Sequence, residues 1–484
     1  MQTKLLAALI GSAIISFPLS QTAYAADLPA GTVVDEGRDN DYLFQPGWNV
    51  LEHGGHSLEF HGYYRYGYGW TPEGEPMPTF QAPGSLSKYR LGNEEFEGGE
   101  IVIDYRYYLD GIPKDSRKNE TGSRFIQIQG RWEEFRDIEE IDELFLEFTN
   151  DFTKEAFIRL GNFIADGTHV WFGRRFYDRR DIHMIDHFWL NVAQGSDYGG
   201  GIEGIKLWDN KTIDVAAFTA YDESAEQETG DNIDSYMLDV RLRGYSFGPD
   251  TELTIVGQVG YRPEYDTPAA VAAAGLDTGD KFGFGLGGYS EFKNVWGEGS
   301  RDRVGLMFRQ GAAMVQNDFN SRAPTELQGF DLDKAWSLEA NNDFFVEMAP
   351  RWSLQWATVA HYEDAGTDNN TILWLSTGIR PMFYITPQIN IAWESGIDWV
   401  DNERLDASGY LWKNTLALQF QAQPGYFERP VFRIFGTYAN WSEDLSGVEL
   451  GANGIAAADI NGDPTEFADE TSGFIFGIQL ETWW

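Results

Sequence analysis

Residues 57–70 have the sequence SLEFHGYYRYGYGW, in which two kinds of side chain alternate. One set of positions is mostly apolar or aromatic: Leu58, Phe60, Gly62, Tyr64, Tyr66, Tyr68 and Trp70. The other set is more polar: Ser57, Glu59, His61, Tyr63, Arg65, Gly67 and Gly69. A period of two places the two sets on opposite faces of a β-strand. The stretch is longer than an average soluble strand and suits a tilted transmembrane strand.

The same alternation returns at the end of the sequence. Phe474, Phe476, Ile478, Leu480 and Trp484 share one face, and Gln479, Glu481 and Trp483 share the other. Further alternating runs are 236–242, 253–261, 373–379, 416–420 and 432–438. A soluble sandwich also alternates, but long rows of Phe, Tyr and Trp do not suit a close-packed core. The pattern predicts an all-β fold, a transmembrane antiparallel β-barrel, whose polar segments 222–232, 317–333 and 443–472 form long loops on one side.

Composition and the first residues indicate an exported membrane protein. Residues 1–25 combine Lys4, an apolar core and Ala23-Tyr24-Ala25, which predicts a secretory signal peptide. We assign 26–56 as an acidic N-terminal extension and 57–484 as the barrel. Aromatic residues make up 15% of the chain, there are 53 glycines and there is no cysteine. The formal charge of −40 excludes a basic surface for nucleic acid.

An unusual cluster of charges and rings occupies residues 171–189, WFGRRFYDRRDIHMIDHFW. Arginines and aspartates hydrogen-bond hydroxyl groups as donors and acceptors, respectively. Aromatic rings can cover the apolar faces of a sugar. The cluster therefore suits a neutral ligand with many hydroxyls, and the alternative is a salt-bridged surface loop.

Several blocks resemble maltoporin and related sugar-specific porins, in the same order along nearly the whole mature chain. They are FHGYYRYGYGW (60–70), SKYRLGNE (87–94), KEAFIRLGNF (154–163), residues 171–189, GIRPM (378–382), RPVFRIFGTYANW (429–441) and the terminal FGIQLETWW. The resemblance implies an 18-stranded barrel, a homotrimer in outer-membrane lipid and a third loop folded into the pore. It also implies a line of aromatic residues on which glucosyl rings slide, flanked by ionisable residues.

The resemblance assigns site residues, and strand parity tests some of them. Expected slide aromatics are Tyr63, Trp132, Trp374 and Trp483, where Trp132 matches a residue that a neighbouring subunit contributes. Tyr63, Trp374 and Trp483 lie on the polar faces of their strands. The expected polar and steric constriction consists of Arg65, Arg90, Lys154, Arg179, Asp181, Asp186 and Phe188.

Some positions depart from the family pattern. Lys154 stands for an arginine and loses the fork that grips two hydroxyls at once. Phe188 stands for a tyrosine, and Asn191 stands for a carboxylate. One slide aromatic aligns with Gly98, and another falls near Phe282 and Phe284, which parity places towards lipid, so neither is assigned. These departures affect the preferred sugar more than the class of activity.

Metal sites are weakly indicated. His183 and His187 are spaced as a helical metal pair would be, but a pore loop explains them better. Asp459, Asn461, Asp463 and Glu470 have calcium-loop spacing, yet Pro464 stands where the turn needs glycine, and an acidic external loop is the simpler interpretation. No cofactor is expected.

The sequence therefore predicts a non-enzymatic outer-membrane channel for facilitated diffusion of maltose and maltodextrins, supplying a periplasmic sugar-binding transport system. Other sugars for the same class of pore are sucrose, β-glucosides and marine glucans. An outer-membrane glycan-degrading enzyme would need a carboxylic acid beside a carboxylate. The arginines around Asp181 and Asp186 are expected to keep both ionised. A surface adhesin would not require an aromatic lumen.

Overall fold

The computed structural model describes residues 48–112, 122–136, 153–190, 196–222, 233–248, 250–314, 326–448 and 470–484. Within them the chain is almost entirely β-structure. The strands are β1 (Trp48–His53), β2 (His56–Trp70), β3 (Phe96–Tyr108), β4 (Phe125–Arg136), β5 (Thr153–Gly161), β6 (His169–Arg174), β7 (Arg180–Ile182), β8 (His187–Leu190), β9 (Ser196–Lys206), β10 (Thr212–Asp222), β11 (Ile233–Tyr245), β12 (Thr251–Arg262), β13 (Lys281–Lys293), β14 (Arg301–Gly311), β15 (Trp336–Met348), β16 (Trp352–Asp364), β17 (Thr371–Thr386), β18 (Ile389–Asn402), β19 (Ala407–Gln421), β20 (Val431–Trp441) and β21 (Ser472–Trp483). Helix in the described ranges comprises Ala269–Ala273 and the 3-10 turns Glu326–Gln328 and Glu443–Leu445. None of these is long and apolar enough to cross a bilayer.

Eighteen strands close into one antiparallel barrel, which confirms the predicted fold class. Each barrel strand pairs with the next along the chain, β6 pairs with β9, and β21 closes the ring on β2 through the pairs from Tyr63 with Trp483 to Trp70 with Phe476. β1 pairs with the first residues of β2, on the same edge and beyond the end of β21. Residues 48–53 of the assigned N-terminal extension are therefore hydrogen-bonded to the barrel wall. The predicted signal peptide and residues 26–47 lie outside the described residues.

The two faces of the wall are those that the alternation predicted. In β2, Tyr63 and Arg65 are buried inside the barrel, while Tyr64, Tyr66 and Tyr68 are half-buried on the outside. The outward residues around the ring are large and apolar. They include Ile128, Phe172, Phe282, Phe284, Leu286, Phe383, Leu416, Ile434 and Phe476, all exposed. An apolar surface this extensive suits lipid, because soluble monomers rarely expose patches above a few hundred Å².

Connections alternate between the two ends of the barrel because neighbouring strands are antiparallel. At one end they span 71–95, 175–195, 263–280, 312–335 and 442–471, together with the short 365–370 and 403–406. At the other end most are brief turns, such as 207–211, 246–250, 349–351 and 387–388, although 109–124 is longer. The longer connections between strands thus concentrate at one end of the barrel.

The main hydrophobic core lies inside the barrel, beneath two segments that fold inwards. Residues 71–95, the first inward loop, contribute Met77, Phe80, Tyr89 and Leu91 to it. Residues 175–190, the second inward loop, contain the β7–β8 hairpin and contribute Ile182, Met184, Ile185, Trp189 and Leu190. The wall contributes Trp374, Val400, Leu411, Phe435 and Trp441 among others. Residues of both inward loops therefore pack against the inner wall of the barrel.

Glycines on the inner wall make room for the first inward loop. The Tyr89 ring lies against Gly378 and Gly396, where an added Cβ would overlap it. We therefore expect Gly396→Val to displace Tyr89 and to destabilise the barrel by about 1–3 kcal/mol, as other overpacked cores are. The measurement is the unfolding midpoint in denaturant. Gly257→Val is the matched control because no atom lies within 4 Å of its Cβ position, and equal losses in the two variants would contradict the packing argument.

Candidate functional site

Three residues predicted for the constriction meet where the two inward loops approach β2. Arg65 of β2 and Arg90 of the first inward loop lie 3.6 Å and 3.8 Å, respectively, from carboxylate oxygens of Asp186. Glu94 joins them, 3.0 Å from Arg65 and 3.5 Å from Arg90. The Asp186 side chain keeps 22% of its surface accessible, whereas the other three are nearly covered. Asp186 is thus the partly accessible acceptor of an otherwise buried ion-pair cluster.

The remaining predicted residues extend this cluster across the second inward loop. Asp181 interacts electrostatically with both Arg179 and Asp186. The Arg179 guanidinium lies 4.4 Å from the ring centroids of both Phe188 and Phe176. Lys154 and Arg179 both act electrostatically on the Glu133 carboxylate. Burial raises the pKa of Asp181 above its ordinary value although Arg179 opposes the shift, which is the direction opposite to the one expected from the surrounding arginines.

Two of the predicted slide aromatics are neighbours, and the structure places further rings beside them. Tyr63 and Trp483 stack with ring centroids 6.3 Å apart. The His183 ring lies 6.1 Å from Trp483 and 5.5 Å from Phe427, so the row continues into the 422–430 turn. Burial and the adjacent Arg90 hold the pKa of His183 well below its usual value, which leaves the imidazole neutral. The result is a row of uncharged rings beside the Arg65–Arg90–Asp186 cluster.

Trp374 and Trp132 lie apart from that row. Trp374 is on the inner face as parity predicted, but it is fully buried, and its indole N–H donates to Asp398 at 2.8 Å. It packs edge-on against His187 at 5.1 Å, behind the second inward loop. Trp132 shares the outward parity of Ile126 and Ile128 in β4 and folds back over Gly130. A sugar contact for Trp132 requires a neighbouring subunit, as the resemblance implied, and both roles stay predictions.

A buried carboxylate anchors the second inward loop to strands β11 and β13 of the barrel wall. Asp178 accepts hydrogen bonds from Arg180 at 2.8 Å and Tyr289 at 3.0 Å, and it also pairs with Arg241 and Arg243 of β11. Burial alone would raise the pKa of Asp178, but the three guanidinium groups hold it well below its usual range. The anchor therefore stays charged and fixes the loop against β11 and β13.

Sequence reasoning missed several members of the site. Glu481 accepts from Arg90 at 3.1 Å, Arg429 at 2.6 Å and Arg433 at 3.0 Å, and so ties the first inward loop to the wall. Glu481 shares the lumen face of its strand with Trp483, and this was a signal in the sequence that could have identified it. Phe427 had no such signal, because its turn has no strand period. Asp178 lay within the singled-out 171–189 block, but nothing distinguished it from the other aspartates.

Glu94 makes the charge of the cluster depend on pH. Burial raises its pKa to about 7, although Arg90 opposes the shift. Below that pH Glu94 gains a proton and no longer balances Arg65 and Arg90. We expect the anion-to-cation permeability ratio, measured from reversal potentials in a salt gradient, to rise between about pH 8 and about pH 6. Glu94→Gln should remove this change and Glu75→Gln, an exposed position in the same loop, should keep it; an unaltered pH response in Glu94→Gln would contradict the assignment.

Among the described residues no group of histidines and carboxylates is arranged to hold a metal ion. Of the possible calcium loop, Asp459, Asn461 and Asp463 lie outside the described residues, as does Asn191. His183 and His187 face different partners, Arg90 and Glu339.

A closed 18-stranded barrel with an apolar outer surface and inward-folded loops defines an outer-membrane porin. The chain belongs to the LamB porin family, whose sequence profile matches residues 58–484. The protein is accordingly a channel of the outer membrane.

Solved structures of the same general kind are only distantly similar. The anion-selective porin from Comamonas acidovorans is 12% identical, with a TM-score of 0.43 over 88% of this chain and 100% of that one. Pseudomonas aeruginosa OpdQ is 8% identical, with a TM-score of 0.43 over 90% and 99% of the two chains. Wzi of Escherichia coli, described as a carbohydrate-binding β-barrel, is 10% identical, with a TM-score of 0.36 over 87% and 83%.

Proposed function

We propose that the protein passes maltose and maltodextrins across the outer membrane by facilitated diffusion. The observation that carries this proposal is the stacked pair Tyr63 and Trp483, which lies beside Arg90 and Asp186. Tyr63 and Trp483 are buried, as Trp374 is, so in this proposal a glucosyl unit reaches their flat apolar faces when neighbouring side chains move aside. The charged groups offer donors and acceptors to its hydroxyls. Because each contact is weak, a sugar can move from one ring to the next without becoming trapped.

The path in this proposal runs along Tyr63, Trp483 and Phe427. Arg65, Arg90, Lys154, Arg179, Asp181 and Asp186 supply directional hydrogen bonds, and Phe188 narrows the passage. Trp132 would reach the entrance of a neighbouring pore in a homotrimer. Trp374 contacts sugar only if the second inward loop moves away from it. A periplasmic sugar-binding transport system would take up the released sugar.

Current block by sugars tests the proposal. Purified protein in a planar bilayer should show an ion current that maltohexaose interrupts at lower concentrations than sucrose, a β-glucoside or a β-glucan oligosaccharide. Absence of block by maltohexaose would reject the maltodextrin assignment. Stronger block by one of the other sugars would assign that sugar to the pore, a result that the substitutions at Lys154 and Phe188 make worth measuring. Hydrolysis of any of these sugars by the purified protein would support an enzyme instead.

A further inference from the structure

A buried carboxylate shared by two histidines joins the second inward loop to the barrel wall. His187 Nε2 donates to Glu339 Oε1 at 2.8 Å, and His361 Nδ1 donates to Glu339 Oε2 at 3.1 Å. The Asn341 amide also donates to Glu339 Oε1, at 3.2 Å. None of the three titratable side chains is more than 5% exposed. His187 belongs to the loop, whereas Glu339 and His361 belong to the neighbouring strands β15 and β16.

The position of His187 in the chain connects this cluster to the sugar site. His187 stands between Asp186 and Phe188, two of the residues assigned to the constriction. Asp186 has φ of 57°, so the chain turns there, and β8 begins at His187. Successive side chains of a strand point to opposite sides. With His187 held on the wall, Phe188 is directed to the other side, where it stacks on Arg179.

Neighbouring contacts hold β8, the second strand of the loop hairpin, in this orientation. Trp189, two residues after His187, is close enough to Gly305 of β14 that an added Cβ there would meet its indole ring. The Trp189 carbonyl accepts from Arg309 at 3.3 Å. Trp374 packs edge-on against His187. The imidazole is thus fixed by a hydrogen bond at one edge and a ring at its side.

We propose that His187, Glu339 and His361 form a positioning site that sets the placement of Asp186 and Phe188, and through them the affinity of the pore for sugar. The inference rests on the proposed sugar-channel function, but the site itself touches no sugar. The buried Glu339 carboxylate needs its hydrogen-bond donors, because a buried charge without them costs stability. Loss of the His187 donor therefore releases β8 from the wall, because β8 would otherwise cover the Glu339 carboxylate without a hydrogen bond to it.

The test compares His187→Phe with His187→Gln in single-channel recordings. Phenylalanine keeps a ring but cannot donate to Glu339, whereas the glutamine amide can donate from nearly the position of Nε2. We expect His187→Phe to raise open-channel current noise and to weaken maltohexaose block by about tenfold or more, mainly through faster sugar release. His187→Gln should restore both quantities close to wild type. His169→Phe is the matched control, because His169 is equally buried but pairs with Arg159 on the wall.

Noise and block unchanged in His187→Phe would overturn the proposal, as would equal effects in His169→Phe. If His187→Phe does not form a barrel, His361→Leu provides the comparison, since it removes a donor from the wall side, and wild-type behaviour in that variant would also overturn it. The open-channel noise is measured without sugar. A wild-type channel that no sugar blocks would reject the proposed function and still leave the positioning site tested by its noise.

Discussion

Replacement of Asp178 by asparagine should release the second inward loop and enlarge the pore. The substitution removes the negative charge that Arg180, Arg241 and Arg243 share within the barrel. Breaking a buried ion pair by removing one partner costs about 3–5 kcal/mol, because the other charges stay buried without it. We expect a lower unfolding midpoint in denaturant together with a several-fold higher single-channel conductance in the absence of sugar.

An exposed ion pair provides the control for this experiment. Asp110 and Arg124 pair at 2.7 Å in the connection between β3 and β4, with 41% and 51% of their side chains exposed. Such surface pairs contribute little to stability. Asp110→Asn should therefore change neither the midpoint nor the conductance. A normal conductance in Asp178→Asn would show that the loop is held inside the barrel without this anchor.

Replacement of Trp483 by alanine should weaken sugar block of the ion current by about tenfold or more, which corresponds to about 1.4 kcal/mol of binding free energy. The indole is the central ring of the row, because it stacks on Tyr63 and also contacts the His183 ring edge-on. The Arg429 guanidinium lies 3.8 Å from its centroid and holds it in place. Removing it separates Tyr63 from Phe427, so a sugar would lose continuous contact along the path.

Trp399→Ala is the matched control for the aromatic row. Trp399 lies on the outer face of β18 and is 46% exposed, so it faces lipid rather than the lumen. Its replacement should leave the concentration of maltohexaose that halves the current unchanged. Unaltered block in Trp483→Ala would remove this residue from the sugar path, while the barrel and its family assignment would stand.

Most of the fold could be predicted from the sequence because alternation along each strand shows which side of the barrel wall a residue faces. The residues predicted for the inner face of three strands all lie there: Tyr63 and Arg65, Ser376 and Arg380, and Gln479 and Glu481. The two-residue period can be recognised in a short stretch of sequence, because successive side chains of a strand point to opposite faces. It therefore predicts whether a side chain faces the lumen or the lipid. It cannot report which parts of the inner wall are covered by other segments.

Trp374 illustrates that difference. Its parity is correct, but the second inward loop packs over it, and that contact joins residues far apart in the chain. Phe427 shows the converse, since a turn without periodicity brings its ring to His183. The contacts of Asp178 and Glu339 could not be predicted from the sequence either, because each joins the second inward loop to strands much further along the chain.

The pairing of β2 with β21, which closes the barrel, also determines the order in which this protein can mature. Tyr63 pairs with Trp483 and hydrogen-bonds to Glu481 across 418 residues of chain, so the part of the β2 edge from Tyr63 to Trp70 lacks its barrel partner until β21 arrives. An exposed strand edge is prone to pair with other chains, and such distant pairings form slowly. Biogenesis therefore has to keep that part of the edge from pairing with other chains until β21 is available to close the ring.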